Sequence, residues 1–194
     1  MIQTLSKREE ILLAASNLFR SNGYHATSMR DLASALEMGG SSLYSHVDSK
    51  ETILLELVEQ AAKAFLANLE ALDAFTTPID KLEHLVKGHL RVMRDELPNA
   101  TVFFHEWRFL PDSLRERITE QRDTYEAAFR QVIESGQREG VFETADAGLA
   151  SKFILGSLNW TYQWIDPRGE LGFDDLTTHF LTLIKASLKV KEEA

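Results

Sequence analysis

The sequence predicts an all-α protein of about nine helices, with a small N-terminal domain over residues 1–50 and a larger helical body over residues 51–194. Three observations lead there. Apolar residues recur at i, i+3, i+4 and i+7 along the chain, and no stretch alternates long enough to make a strand. Capping residues, glycines and prolines fall at the joints between these stripes. Charge is divided unevenly. Residues 1–50 hold five bases (Lys7, Arg8, Arg20, Arg30, Lys50) against five acids (Glu9, Glu10, Asp31, Glu37, Asp48), so the whole net charge of −9 lies in residues 51–194.

An acidic body repels a polyanion and confines any such contact to the N-terminal end, although the same acidity also serves solubility. The chain has no cysteine, which excludes disulfides and cysteine-based metal or nucleophile chemistry. No run approaches 18 apolar residues and MIQTLSKREE does not read as a signal peptide. The expectation is a soluble cytoplasmic protein with no membrane partner.

The first helix opens on a capping box, Ser6 with Glu9, and stops near Asn22 and Gly23. A second helix, from about Ser28 to Ala35, has Thr27 or Ser28 as N-cap and a stripe of Met29, Leu32, Ala33 and Leu36. A third, from about Gly40 to Val47, buries only Leu43 and Val47. A fourth runs from Ser49 to about Leu72. In the body, Pro78 opens a helix closed by Pro98, with Leu82, Leu85, Val86, His89, Leu90 and Met93 facing inward. A short segment follows over Thr101 to Phe109, then helices over Ser113 to Gly136, Asp146 to Trp164 and Phe173 to Lys189. Asp166-Pro167-Arg168-Gly169 reads as a turn and the tail KVKEEA as frayed.

The third helix is chemically unusual. Gly40, Ser41, Ser42, Tyr44, Ser45 and His46 are small or polar with little helix preference. A helix with such a face can lie close inside the major groove of double-stranded DNA.

Residues 6–50 resemble the DNA-binding domain of TetR-type bacterial repressors. That family shows F-x-x-x-G-Y/F, then T-[ST]-[hydrophobic]-R-D-[IL]-A, then L-Y-x-[HY]-[FV]-x-[SN]-K. The chain supplies Phe19, Gly23, Tyr24, Thr27, Ser28, Met29, Arg30, Asp31, Leu32 and Ala33, followed by Leu43, Tyr44, His46, Val47, Ser49 and Lys50. The resemblance implies a three-helix domain with a helix-turn-helix. Expected DNA contacts are Thr27, Ser28, Met29, Arg30, Gly40, Ser41, Ser42, Tyr44, Ser45, His46 and Lys50. Tyr44, Lys50 and the helix start at Thr27 and Ser28 are expected to anchor phosphates. Glu37 departs from the family, which usually has glycine at this turn, and a residue there can need positive φ.

Asn159-Trp160-Thr161-Tyr162-Gln163-Trp164-Ile165-Asp166-Pro167-Arg168-Gly169 resembles a stretch of TetR-type repressors that respond to acyl-CoA thioesters. Trp160 and Trp164, four apart, are expected to share a helix face as core or dimer interface. The resemblance implies a homodimer through the last two long helices, with Gly148, Ser151, Leu155, Gly156 and Leu158 allowing close approach. Phe103, Phe104, Trp107 and Arg108 can line a cavity, or be a core helix with a surface ion pair. With Phe65, Leu90, Met93, Tyr125, Phe129, Asn159 and Trp160 they can enclose an apolar chain. Arg91, Arg94, Arg108 and Arg122 can meet the phosphates of coenzyme A.

No H-E-x-x-H, G-x-S-x-G, phosphate loop or dinucleotide fingerprint occurs, and His84 and His89 fall on different helix faces. The sequence therefore predicts no catalytic residues, metal or cofactor. The favoured expectation is a repressor released from a palindromic operator by a long-chain acyl-CoA. A repressor answering a drug or free fatty acid, and a helical interaction protein or enzyme, are the alternatives.

Overall fold

Helix starts in this chain follow local capping chemistry, and several helix ends follow contacts made far along the sequence. The computed structural model describes residues 5–144, 146–165 and 172–190. Among them lie nine α-helices: α1 Lys7–Asn22, α2 Met29–Ala35, α3 Gly40–Tyr44, α4 Lys50–Ala67, α5 Pro78–Asp95, α6 Leu97–His105, α7 Asp112–Arg138, α8 Ala147–Asn159 and α9 Phe173–Ser187. Short 3₁₀ turns stand at Leu72–Ala74, Trp107–Phe109 and Trp160–Gln163, and no strand occurs among the described residues. The turn expected at Asp166–Gly169 and the tail residues 191–194 lie outside the described residues.

The Ser6 capping box is closed both ways. The Glu9 amide donates to Ser6 Oγ at 3.3 Å and the Ser6 amide to Glu9 Oε2 at 2.7 Å. Ser28, rather than Thr27, caps α2, and pairs in the same way with Asp31 at 3.2 and 2.8 Å. Gly23 ends α1 at φ +85, its amide donating to Phe19 O.

Several helix ends differ from the sequence expectation: α3, expected to reach Val47, ends at Tyr44, and the segment expected over Thr101 to Phe109 is α6 followed by a 3₁₀ turn. The helix predicted to reach Leu72 stops at Ala67, because the Asn68 carbonyl is bound by His84 Nε2 at 2.8 Å and the following amides form i→i−3 bonds. Pro98 does not close α5; it sits in the first turn of α6, where its missing N–H costs no hydrogen bond. The helix predicted to reach Trp164 ends at Asn159. The Leu158 carbonyl there takes the hydroxyl of buried Thr161 at 2.7 Å, and a 3₁₀ turn follows. Trp160 and Trp164 therefore do not share an α-helical face.

The chain packs as two compact units, residues 1–62 with 96–119 and residues 63–95 with 120–194. In the first, α1 packs on α2 and α6, and α2 on α3. Its core holds Ile11, Leu12, Ala15, Phe19, Leu32, Leu43, Val47, Ile53, Leu54 and Leu57. The domain division read at residue 50 marks the end of the N-terminal motif, whereas packing places the α6 segment with that motif. In the second unit, α5 packs on α8 and α9, with Leu82, Leu85, Val86, His89, Leu90 and Met93 all buried. No helix among the described residues is long and apolar enough to cross a membrane.

Glu37, between α2 and α3, has φ +53. A left-handed conformation at a residue with a Cβ costs about 1 kcal/mol or more. Glu37→Gly is expected to raise the stability of the first unit by about 0.5–1 kcal/mol, once the extra unfolded-state freedom of glycine is counted. Urea denaturation compares the variants, and an unchanged or lower midpoint would show that Glu37 bears no strain.

Candidate nucleic-acid interface and effector core

α3 presents what its sequence promises. Leu43 and Val47 are buried, while Gly40, Ser41, Ser42, Tyr44, Ser45 and His46 are exposed, Tyr44 to 54%. No bulky side chain except Tyr44 separates the α3 backbone from an approaching base edge. Ser45 returns its hydroxyl to Ser42 O at 2.7 Å. Arg30 is exposed and Met29 half-buried on α2.

Three expected phosphate anchors have internal partners. Thr27 is 2% exposed, and its hydroxyl donates to Gly23 O at 2.9 Å. The Ser28 hydroxyl donates to Asp31 Oδ2 at 2.6 Å. The same side-chain hydrogen bond, with that of the Ser28 amide, holds the Asp31 carboxyl below its ordinary value, so the start of α2 already carries a carboxylate. Lys50 Nζ donates to Tyr24 O at 2.8 Å and Thr27 O at 2.7 Å, and lies 4.3 Å from the Tyr24 ring centroid. The α1–α2 connection is thus tied to the first turn of α4. Lys50→Met is expected to destabilise the first unit by about 1–2 kcal/mol through loss of these two charge-assisted bonds. The check is urea unfolding of the full chain; an unchanged midpoint would leave Lys50 without this structural role.

An aromatic chain continues from this tie. The Tyr24 ring meets Phe19 edge-on at 5.3 Å and stacks with Phe109 at 6.0 Å, and Phe109 meets His25 at 4.1 Å. The 3₁₀ turn Trp107–Phe109 therefore packs directly on the loop that leads into α2.

The residues expected to hold an effector fall in both units. In the second, Phe65, Leu90, Met93, Tyr125 and Phe129 are buried. The Phe65 and Tyr125 rings are 5.6 Å apart, and those of Tyr125 and Phe129 5.5 Å. Arg122 and Asn159 are half-buried and Trp160 is exposed, its ring meeting Tyr162 at 6.2 Å. In the first unit Phe103 is buried, Phe104 and Trp107 are half-buried and Arg108 is exposed. Phe103 and Phe104 pack edge-on at 5.2 Å.

At the centre of the second unit's aromatic cluster stands His89, which sequence reasoning treated as stripe filler. Its ring lies 4.8 Å from that of Phe65, and Nδ1 is 3.4 Å from the Tyr125 hydroxyl. Burial pushes the imidazole down to about 3 and the Tyr125 phenol up, so both are neutral hydrogen-bonding groups near pH 7. The available signal was a histidine at a position otherwise filled by leucine, valine and methionine. Arg94, by contrast, is held by Asp95 at 2.6 Å and lies over the Phe173 ring. Arg91 lines a polar groove of about 450 Å³ between α5 and α9, together with Glu83, Lys87, Thr177 and Lys185.

On α8, Ser151, Leu155 and Leu158 face the interior rather than a partner, and the Ser151 hydroxyl bonds Glu126. Leu149, Phe153 and Trp160 instead share an exposed stripe with Gly156, and Leu183 on α9 is 70% exposed. No group of three or more potential metal ligands occurs among the described residues.

Comparison with known proteins agrees with this arrangement. Residues 11–57 match the family model for bacterial regulatory proteins of the tetR family, and residues 76–188 match that for the tetracyclin repressor-like C-terminal domain. The HTH-type transcriptional repressor KstR2 of Mycolicibacterium smegmatis is 26% identical over 189 residues, covering 94% of this chain and 90% of the relative. The crystal structure of the TetR-family regulator PfmR from Thermus thermophilus has a TM-score of 0.82 at 32% identity, over 94% of this chain and 99% of that one. AibR in complex with isovaleryl coenzyme A and operator DNA shares the fold, with a TM-score of 0.83 at 21% identity over 96% of this chain and all of that one. With both halves matched in order, the chain belongs to the TetR family of DNA-binding transcriptional regulators and is not an enzyme.

Proposed function

We propose that this protein is a cytoplasmic homodimeric repressor, released from a palindromic operator by an acyl-CoA. The observation that carries the DNA half is the exposed face of small polar residues on α3 above buried Leu43 and Val47. Arg30, Gly40, Ser41, Ser42, Tyr44, Ser45 and His46 form the proposed DNA surface. With no Arg, Asn or Gln on α3, discrimination rests on DNA shape and on Arg30 more than on bidentate base contacts. The exposed stripe of Leu149, Phe153 and Trp160 with Leu183 supports a dimer through α8 and α9. Two reading helices can then meet half-sites one helical turn apart.

For the effector, the buried aromatic cluster offers apolar surroundings, and the neutral His89–Tyr125 pair offers hydrogen bonds to a carbonyl without burying a charge. The ligand seen in AibR supports a coenzyme A thioester. Arg122, half-buried in the same unit as the aromatic cluster, is the proposed phosphate partner, since Arg94 is already committed to Asp95. That commitment also favours the second reading, a hydrophobic effector without phosphates. Release works by preferential binding to the conformer unsuited to DNA, and a 100-fold loss of affinity requires about 2.7 kcal/mol of coupling. Trp107 and Phe109, which flank Arg108 in one 3₁₀ turn, pack in the same unit as the reader, and Phe109 touches Tyr24 and His25.

Native mass spectrometry of the purified protein tests the assembly and the ligand together. A dimer with an added mass matching an acyl-CoA is the expected result. A monomer at micromolar concentration would sink the dimer, and a dimer that takes up free fatty acid but no thioester would replace the effector.

A further inference from the structure

Arg8 lies on the first turn of α1 and reaches two other parts of the reader. Its Nη1 donates to the His46 carbonyl, just past the end of α3, at 2.5 Å. Its Nε donates to Glu56 Oε2 on α4 at 3.1 Å, and Nη2 completes the fork on Oε1. α3 is poorly equipped to hold itself. It has five residues, its N-cap Gly39 offers no side-chain bond, and its first residue is glycine. Carbonyls at a helix C-terminus lack intrahelical donors, and a cation there is favourable. A guanidinium clamped by a carboxylate aims its remaining donor in one direction, which a lysine ammonium cannot do.

We propose that Arg8, oriented by Glu56, is the positioning residue that sets the reading helix, and that its charge is not used on a DNA phosphate. The proposal rests on the reading of α3 as the operator-binding helix. Exposed ion pairs add little to global stability, so the effect belongs in operator affinity and in local opening of α3.

The test uses the full chain with Arg8→Met, Arg8→Lys and Glu56→Gln, measuring anisotropy on the protein's own upstream DNA across a salt series and amide hydrogen exchange without DNA. Both Arg8 variants are expected to lose operator affinity about tenfold, with the slope of log affinity against log salt unchanged. Glu56→Gln is expected to weaken binding too, although it removes a negative charge. In all three variants the amides of Leu43, His46 and Val47 exchange faster than in the parent.

A phosphate contact predicts the opposite pattern. Arg8→Lys would then bind normally, Arg8→Met would lose about 0.9 of slope per protomer, and Glu56→Gln would bind more tightly. Any of these overturns the proposal, as does unchanged exchange on α3. If the parent protein binds no DNA even at low salt, the operator reading fails, and the exchange rates still decide whether Arg8 holds α3.

Discussion

Lowering the pH from 7 to 5 should cost the second unit about 2 kcal/mol of stability through His89 alone, and His89→Leu should remove that loss. The imidazole is buried against Phe65 and Tyr125 and is held down to about 3, against about 6.5 in an unfolded chain. Between those two values the unfolded state binds a proton that the folded state refuses. The stability contribution of neutral His89 is therefore complete above pH 6.5 and is lost as the pH falls toward 3, reaching about 5 kcal/mol at the lower limit. Urea titrations of parent and variant at pH 7 and pH 5 isolate the term, because carboxylates elsewhere contribute equally to both proteins. Parallel losses in the two proteins would mean that His89 is protonated without unfolding.

Gly136→Ala should destabilise the second unit by about 2–3 kcal/mol, although alanine is the better helix former by about 1 kcal/mol. A Cβ at this position would stand 2.2, 2.5 and 2.7 Å from Cδ2, Cε2 and Cγ of Phe142. Phe142 is 3% exposed, so its ring is enclosed by protein atoms. The backbone cannot yield cheaply either, because Gly136 O accepts the amides of Val141 at 2.8 Å and Phe142 at 3.0 Å. The sign is diagnostic: a stabilised Gly136→Ala protein would mean that the α7 exit is looser than this packing. Phe142→Leu in the same chain should recover part of the loss by withdrawing ring atoms from the site.

What could be read from the sequence was what local chemistry determines. Ser6 with Glu9, Gly23, and Pro78 at a first turn marked helix ends correctly because each acts on neighbours within four residues. The buried pair Leu43 and Val47 and the positive φ at Glu37 were legible for the same reason. Errors arose where a distant group decided the outcome. His84, sixteen residues from Asn68, takes its carbonyl and ends α4 early. Pro98 carries the same local signal whether it ends one helix or starts the next. Lys50 was read only as a phosphate anchor, since the sequence does not reveal that Tyr24 O and Thr27 O lie within its reach. His89 was hidden by periodicity, which reports burial and says nothing about what else is buried beside it.

Operator anisotropy with and without effector tests the central claim most directly. The protein is titrated onto a labelled fragment of its own upstream DNA, and long-chain acyl-CoA, free coenzyme A and the free fatty acid are then added separately. Release by the thioester alone, with affinity falling about 100-fold, is the result predicted here. Binding that persists in saturating thioester, or release by the free acid at the same concentration, would contradict the acyl-CoA assignment.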